Sequence, residues 1–425
     1  MRRRVRRPGG AMPARFVTGL QWSDIPPLVR DRCHALVRDL AAVCAAGRTT
    51  PTAVIAAAYA HAQHPGDEAT LWVDGSRVTC TGAAFANGVL ANALDFDDGH
   101  RLVSGHPGAM VLPAALATAE LVGASPEETM TAIVIGYEIA IRAGLELHAR
   151  TDHLEYHGSG AWGALGAAAT AARLLGLDHE QLSDALGSAE YHAPMAMIMR
   201  SVAEPAMTKD ACAWGAAVGV SSALLAGRGF TATRSELATG AAGLSDLGHR
   251  WHLTDVYVKR FPCCRWSQPA IQAALTIHAT QRLQPQRISR VKVRTFPAAT
   301  RLAKGSPVTT EQAQYSLVWP VAVALVHGAF GVEHVVGAGL QDVAAARPLG
   351  RIEMVVDPRF ASAYPARRLT EVVVELEDGS ELSSGVTEAP GEPEDPGWLD
   401  VIEEKAARYA PSPGPFRWLL THEDS

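Results

Sequence analysis

The sequence predicts a mainly α protein: a large all-helical domain, and a smaller α+β domain inserted before a C-terminal helix that returns to the first. Three observations carry this. Between Pro26 and Gly229 the chain is a series of small-residue helical patterns ended by Gly; after Ser267 it changes to alternating apolar and basic runs; and an acidic, Pro-rich stretch precedes one last helical pattern. The predicted boundaries are a flexible basic N-terminal arm over 1–25, the helical domain over 26–266, the α+β domain over 267–390 and the returning segment over 391–425.

In chain order, helices are predicted at Leu28 to Ala46, Thr52 to Gln63, Ala83 to Leu94, Pro107 to Val122, Pro126 to Ala149, Ala161 to Leu175, His179 to Tyr191 and Lys209 to Ala226. Ala and Gly dominate them, which lets helix axes approach closely, and stops such as Gly227-Arg228-Gly229 end them. The one strand signal in this half is Ala69 to Thr81, folded at Asp74-Gly75. Further on, Arg287 to Phe296, Arg351 to Asp357 and Leu369 to Val386 alternate as half-exposed strands, with helices near Thr310 to His327 and Gly331 to Leu340. Glu388 to Gly397 reads as a linker, and Trp398 to Tyr409 as a helix that docks back.

With 48% hydrophobic and 19% charged residues, the chain can bury a large core. A net charge of -6 without a basic stripe argues against a nucleic-acid partner. The basic run Arg2 to Arg7 lacks a following apolar segment and reads as a loose arm rather than a signal peptide. No stretch has the apolar length of a membrane span, so no membrane partner and a cytoplasmic location are expected. The six cysteines show no C-x-x-C spacing, which disfavours a zinc ribbon or disulfide framework. Cys33, Cys44 and Cys212 fall in apolar helical patterns and read as core.

Candidate chemistry begins between Asn92 and Glu120, where Asp95, Asp97, Asp98, His100 and His106 crowd into one turn before a wholly apolar helix. His106 stands at the positive end of that helix, a place that favours an anionic ligand and a neutral imidazole. Caps and solvated loop are the alternative reading of the same residues. His157, in Tyr156-His157-Gly158-Ser159-Gly160, leads into another small-residue helix in the same way, and two such ends meeting would make a carboxylate pocket. Among the 38 basic residues the lysines are Lys209, Lys259, Lys292, Lys304 and Lys405, so each Lys is a candidate for what Arg cannot do, which is to titrate near neutrality. Lys292, Lys304 and Lys405 sit in polar or surface contexts; Lys209 and Lys259 do not. Lys259, Arg260, Cys263, Cys264 and Arg265 close the helical half in a position suited to a cleft wall, where a thiol nucleophile is an open but weaker alternative.

The run L-D-F-D-D followed by H-P-G-A, then H-G-S-G-A-W-G-A-L-G, then M-T-K, then K-R-F-P-C-C with Q-P-A-I resembles the MmgE/PrpD family in the right order, from about residue 26 to 410. That family includes 2-methylcitrate dehydratase, cis-aconitate decarboxylase and iminodisuccinate epimerase. The resemblance implies a helical domain, an α+β lid, a homodimer and catalytic positions at Asp95, His106, His157, Lys209 and Lys259. It also places Gly99, Ser159, Cys264, Arg265 and Trp319 against the substrate. Three departures bear on the substrate before the reaction class: Gly99 where cis-aconitate decarboxylases have Thr, Cys264 where the animal decarboxylase has His, and Trp319 for a common Tyr. Ser267-Gln268 likewise replaces a frequent Thr-His.

A cleft holding Lys209, Lys259, His106 and His157 suits a small-molecule substrate with two or three carboxylates, since removing a proton or CO2 beside a carboxylate leaves a carbanion that needs nearby cations. The reading is a cofactor-independent lyase of the dehydratase type. Decarboxylation and epimerisation share its first step and stay open. A metal-dependent hydrolase using Asp97, Asp98, His100, His106 and His157 is a further alternative, disfavoured because two lysines would repel the ion. A non-catalytic relative is the last.

Overall fold

The computed structural model describes residues 11–151, 157–240, 244, 246–281, 283–410 and 416–420, and within them the chain is mainly helical. Helix α1 (Ala11–Gly19) buries Val17, so this part of the predicted flexible arm is packed structure; the basic run Arg2 to Arg7 lies outside the described residues. Helices α2 (Pro27–Gly47) and α3 (Pro51–Gln63) each start on a proline, whose missing N–H costs nothing there. A hairpin of β1 (Pro65–Thr70) and β2 (Arg77–Val78) then leads into α4 (Cys80–Asn92) and β3 (Gly99–His100). Next come α5 (Gly108–Val122), α6 (Pro126–Arg150), α7 (Gly160–Leu174), α8 (His179–His192), α9 (Ile198–Ala203) and α10 (Cys212–Gly227).

Helix α7 is the hub and packs against α5, α6, α8 and α10. Its small residues are what permit this. A Cβ at Gly166 would stand 2.5 Å from the Gly136 carbonyl of α6, and one at Gly219 of α10 would stand 2.7 Å from the Ala164 carbonyl. Only glycine allows backbones this close. Helix α10 begins at Cys212 rather than at Lys209 as the apolar pattern predicts, because Lys209 (φ 42°) and Ala211 (φ 56°) take left-handed backbone that no right-handed helix contains.

The second half opens with β4 (Val256–Tyr257), which pairs antiparallel with β3, Gly99 opposite Tyr257 and His100 opposite Val256. After α11 (Gln268–Thr280) and β5 (Ile288–Thr295) come α12 (Thr310–Gln314) and α13 (Val318–His327). The continuous helix predicted over 310–327 is broken because the Leu317 N–H and Ser316 Oγ both bond the Ala303 carbonyl, at 3.4 and 3.1 Å. The predicted helix over 331–340 is two 3-10 turns, Val332–His334 and Gly337–Gln341, the second starting at Gly337 in left-handed backbone. Strands β6 (Ile352–Val356), β7 (Leu369–Leu376), β8 (Glu381–Ser383) and β9 (Thr387–Glu388) complete a sheet of order β6-β5-β7-β8, with β9 also on β7. Its buried side chains, among them Val291, Val293, Val372 and Val374, alternate along β5 and β7, and α11 packs against β7.

Residues 388–397 are not a free linker: the Val258 N–H donates to the Gly391 carbonyl at 2.9 Å, and Glu392 is buried. The last long helix, α14 (Trp398–Tyr409), docks on α2, and its Trp398 Nε1 donates to the Val256 carbonyl at 3.1 Å. Lys405, expected at the surface, is buried and paired with Asp39 of α2. No single helix among the described residues is long and apolar enough to cross a membrane.

Candidate active site

Pairing of β3 with β4 sets the Asp95 turn against residues 257–265, and a cavity of about 40 Å³ opens between them. Asp95, His106, Asp210, Lys259 and Tyr315 line it. Among the described residues, the non-glycine positions with left-handed backbone are Asp95 (φ 50°), Ser104 (φ 48°), Lys209 and Ala211, and all four line this cavity or bracket Asp210 in the chain. Such backbone costs of order 1–3 kcal/mol per residue and persists where surrounding contacts impose it.

Lys259 Nζ, fully buried, donates to Asp95 Oδ1 at 2.6 Å and to the Asp95 carbonyl at 2.8 Å. Burial alone would raise the Asp95 pKa; the Lys259, His106 and Lys209 charges outweigh it and hold the carboxyl at about 2. Lys259 is itself raised above its ordinary value, because Asp95 and Asp97 outweigh its desolvation. Asp95 is therefore a fixed anion and Lys259 a fixed cation.

His106 Nδ1 lies 2.6 Å from the Asp98 carbonyl, which can only accept, so Nδ1 carries a hydrogen. Its Nε2 faces Asp95 Oδ1 at 3.4 Å and Asp210 Oδ2 at 3.5 Å. Asp210 differs from Asp95: burial raises its pKa, and the His106 and Lys259 charges only partly oppose this. Ser159 Oγ donates to Asp210 Oδ2 at 3.2 Å and accepts from the His106 N–H at 3.0 Å, so the entries to α5 and α7 do meet, through Ser159. Tyr315 Oη donates to Asp210 Oδ1 at 3.3 Å. Asp98 backs the turn: it accepts from Tyr137 Oη and from the Gly108 N–H at 3.1 Å, and burial raises it to about 7.

The remaining predicted residues have other positions. Lys209 Nζ donates to the carbonyls of Asn92 (2.6 Å) and Ala93 (3.2 Å) and to Gln314 Oε1 (2.5 Å), so it caps the C-terminus of α4 with all three hydrogens in use. Burial lowers its pKa, against the pull of Asp95 and Asp97. His157 forms a backbone bridge with Met197 and is not among the lining residues. Gly99 leaves room for a neighbour: a Cβ there would stand 2.4 Å from Tyr257 Oη. Cys264 and Arg265 line the cavity, and burial pushes the Cys264 thiol up to about 12, which disfavours a thiolate nucleophile. Trp319, expected at the substrate, lies instead in the core with its Nε1 donating to the His334 carbonyl at 3.1 Å.

Sequence reasoning missed Asp210, Tyr315 and Arg368, which line the cavity, and Lys405, whose Nζ donates to the Phe96 carbonyl at 3.2 Å from behind the Asp95 turn. Among the described residues two sets have the composition of metal ligands: Asp95 with Asp97 and His106, and His100 with His252 and Asp255. In the first, Lys259 already holds Asp95, and Asn92 Nδ2 donates to both Asp97 oxygens at 3.0 and 3.1 Å, so the donor set is engaged by hydrogen bonds and a cation. The second lies apart from the cavity lining; it divides the ligands of the metal-hydrolase alternative, since His100 faces His252 rather than His106.

A buried acid–base cavity between a helical N-terminal part and an α+β C-terminal part defines the class. Residues 13–250 match the MmgE/PrpD N-terminal domain and residues 261–415 the MmgE/PrpD C-terminal domain, and the chain belongs to the MmgE/PrpD family. It is 25% identical over 397 residues to cis-aconitate decarboxylase of Homo sapiens, covering 86% of this chain and 80% of that one. It is 24% identical over 306 residues to cis-aconitate decarboxylase of Aspergillus terreus, covering 65% and 61%. A cis-aconitate decarboxylase-like protein, oryM, of Aspergillus oryzae is 26% identical over 303 residues, covering 64% and 62%. Enzymes so named are lyases.

Proposed function

We propose that this protein is a cofactor-independent lyase that removes a proton beside a carboxylate of a small di- or tricarboxylate and expels water. The observation that carries it is His106 Nε2 set between two carboxylates of opposite tuning, Asp95 held ionised and Asp210 raised. Elimination of water needs both a base and an acid, and neighbouring groups with pKa values pushed apart supply them. His106 Nε2 takes the proton, Asp95 stabilises the imidazolium, and Asp210 protonates the departing hydroxide. The buried cations stabilise the enolate. A second reading, loss of CO2, is favoured by the names of the relatives; it needs the acid but not the base.

The cavity of about 40 Å³ has room for roughly three waters, less than a tricarboxylate fills. In this reading the α+β part moves off the helical part as a lid to admit the substrate. A homodimer belongs to the same reading, and the exposed side chains of Val54, Ile55, Tyr59 and Trp214 offer an apolar face for the second copy. An NMR time course with 2-methylcitrate, citrate, cis-aconitate and iminodisuccinate in deuterated water, with EDTA, tests the chemistry. Formation of an alkene from a hydroxy acid is expected. Release of CO2 without dehydration supports the second reading, and silence with every acid would contradict both.

A further inference from the structure

The cavity has a second wall, away from the proton-transfer groups, made of two guanidiniums. Arg265 and Arg368 are 3% and 2% exposed and both line it. A buried guanidinium is costly unless its donors are met. Arg265 Nη1 donates to the carbonyls of Val258 (3.2 Å) and Pro390 (2.9 Å), and its Nη2 lies 2.9 Å from Glu392 Oε1. Arg368 Nη1 lies 3.6 Å from the same oxygen, beyond hydrogen-bond length. Arg265 Nε and Nη2, Arg368 Nε and Nη1, and one acceptor, Glu392 Oε2, have no hydrogen-bond partner. Both guanidiniums are held over the Tyr257 ring, 4.5 and 5.4 Å from its centre, so their orientation is set by packing.

One carboxylate thus serves two buried cations, which leaves a local charge of +1 and unused donors. Glu392 stands where two spaces meet. It lines an outer cleft of about 600 Å³ together with Arg101 and Arg367, while its two partners line the inner cavity. Its pKa is lowered because Arg265, Arg368 and Arg101 outweigh desolvation, so it is an anion drawn by cations on both sides.

We propose that Arg265 and Arg368 form a subsite for a second carboxylate of the substrate, and that Glu392 is a resident counter-ion which this carboxylate displaces. The inference rests on the polycarboxylate reading above and narrows it to acids that present one carboxylate beside the carbon facing His106 and another to the guanidinium pair. A planar carboxylate matches the guanidinium fork and meets the donors that Glu392 leaves over. A monocarboxylate can fill only one end.

Propane-1,2,3-tricarboxylate, which has no hydroxyl to lose, is the probe, and its Kd is read by calorimetry on the full chain. Arg368→Met is expected to weaken it by about 10- to 100-fold, and Arg368→Lys, which keeps the charge but loses the fork, by a smaller factor. Glu392→Gln is expected to tighten it, because the competing anion is gone; a purely structural Glu392 would give weaker binding. Butanoate should bind weakly to every form. His106→Gln should lower turnover by about 10²- to 10⁴-fold and leave the probe's Kd within about threefold, so loss of the chemistry and loss of the subsite are separable. A folded Arg368→Lys or Arg368→Met protein with unchanged Kd, or a Glu392→Gln protein that binds less tightly, would overturn the proposal.

Discussion

The two walls of the cavity differ in how fully their polar groups are used. On the Asp95 side, Lys259 donates to Asp95, Ser159 links the His106 N–H to Asp210, and His106 Nε2 lies within 3.5 Å of both carboxylates. On the Arg265 side, several guanidinium donors and Glu392 Oε2 are unmet, so hydrogen-bond capacity is left over. The difference teaches what each wall is for. A connected set fixes protonation states and geometry before a substrate arrives, as proton transfer requires. A wall with unmet donors is completed by a ligand. Backbone strain follows the same division, since the left-handed Asp95, Ser104, Lys209 and Ala211 belong to the connected wall.

The comparison breaks most sharply at Lys259. Removing its ammonium leaves the Asp95 carboxylate buried and unpaired, so Lys259→Met is expected to cost about 3–5 kcal/mol of stability as well as turnover. Urea denaturation measures the first, and an unchanged midpoint would show that Asp95 does not depend on the pair. Lys209→Met should cost about 1–3 kcal/mol through the uncapped Asn92 and Ala93 carbonyls, with turnover falling because Asp210, its neighbour in the chain, shifts. Full activity with full stability would remove it from the account.

The smallest effect is a pH slope. Asp98 has a folded pKa of about 7 against an ordinary 3.8, so the folded state holds its proton more tightly. Its contribution to stability is complete below about 4 and is lost as pH rises towards 7. His100, lowered to about 3 by burial, acts in the opposite sense: it contributes above its ordinary 6.5 and that contribution is lost as pH falls. Asp98→Asn should therefore remove a decline in denaturation midpoint between about pH 4 and 7, leaving the His100 rise exposed. A midpoint profile parallel to wild type would contradict the burial argument.

Much of the helical half was legible because small-residue periodicity is a local signal, and the meeting of the α5 and α7 entries through Ser159 follows from two local patterns. What was hidden is non-local. Asp210 looked like part of a helix, since nothing in an apolar pattern announces left-handed backbone on either side of it. Trp319 drew attention in a segment where Tyr315 carries the hydroxyl that reaches Asp210. Lys405 sits on an amphipathic helix and resembles surface charge until Asp39 is found opposite it. Glu392 lies in an acidic Pro-rich run that reads as solvated, and only the fold brings Arg265 and Arg368 to it. Composition could have offered one hint: an acidic stretch that docks must have cations to dock on.

The central claim is that His106 moves a proton at the carbon beside a substrate carboxylate. Deuterium uptake at that carbon, followed by NMR for the acid the enzyme accepts, tests it directly in wild type and His106→Gln. The account predicts uptake in wild type and a rate about 10²- to 10⁴-fold lower in the variant at unchanged fold. Undiminished uptake in His106→Gln would contradict it and move the proton transfer to another residue.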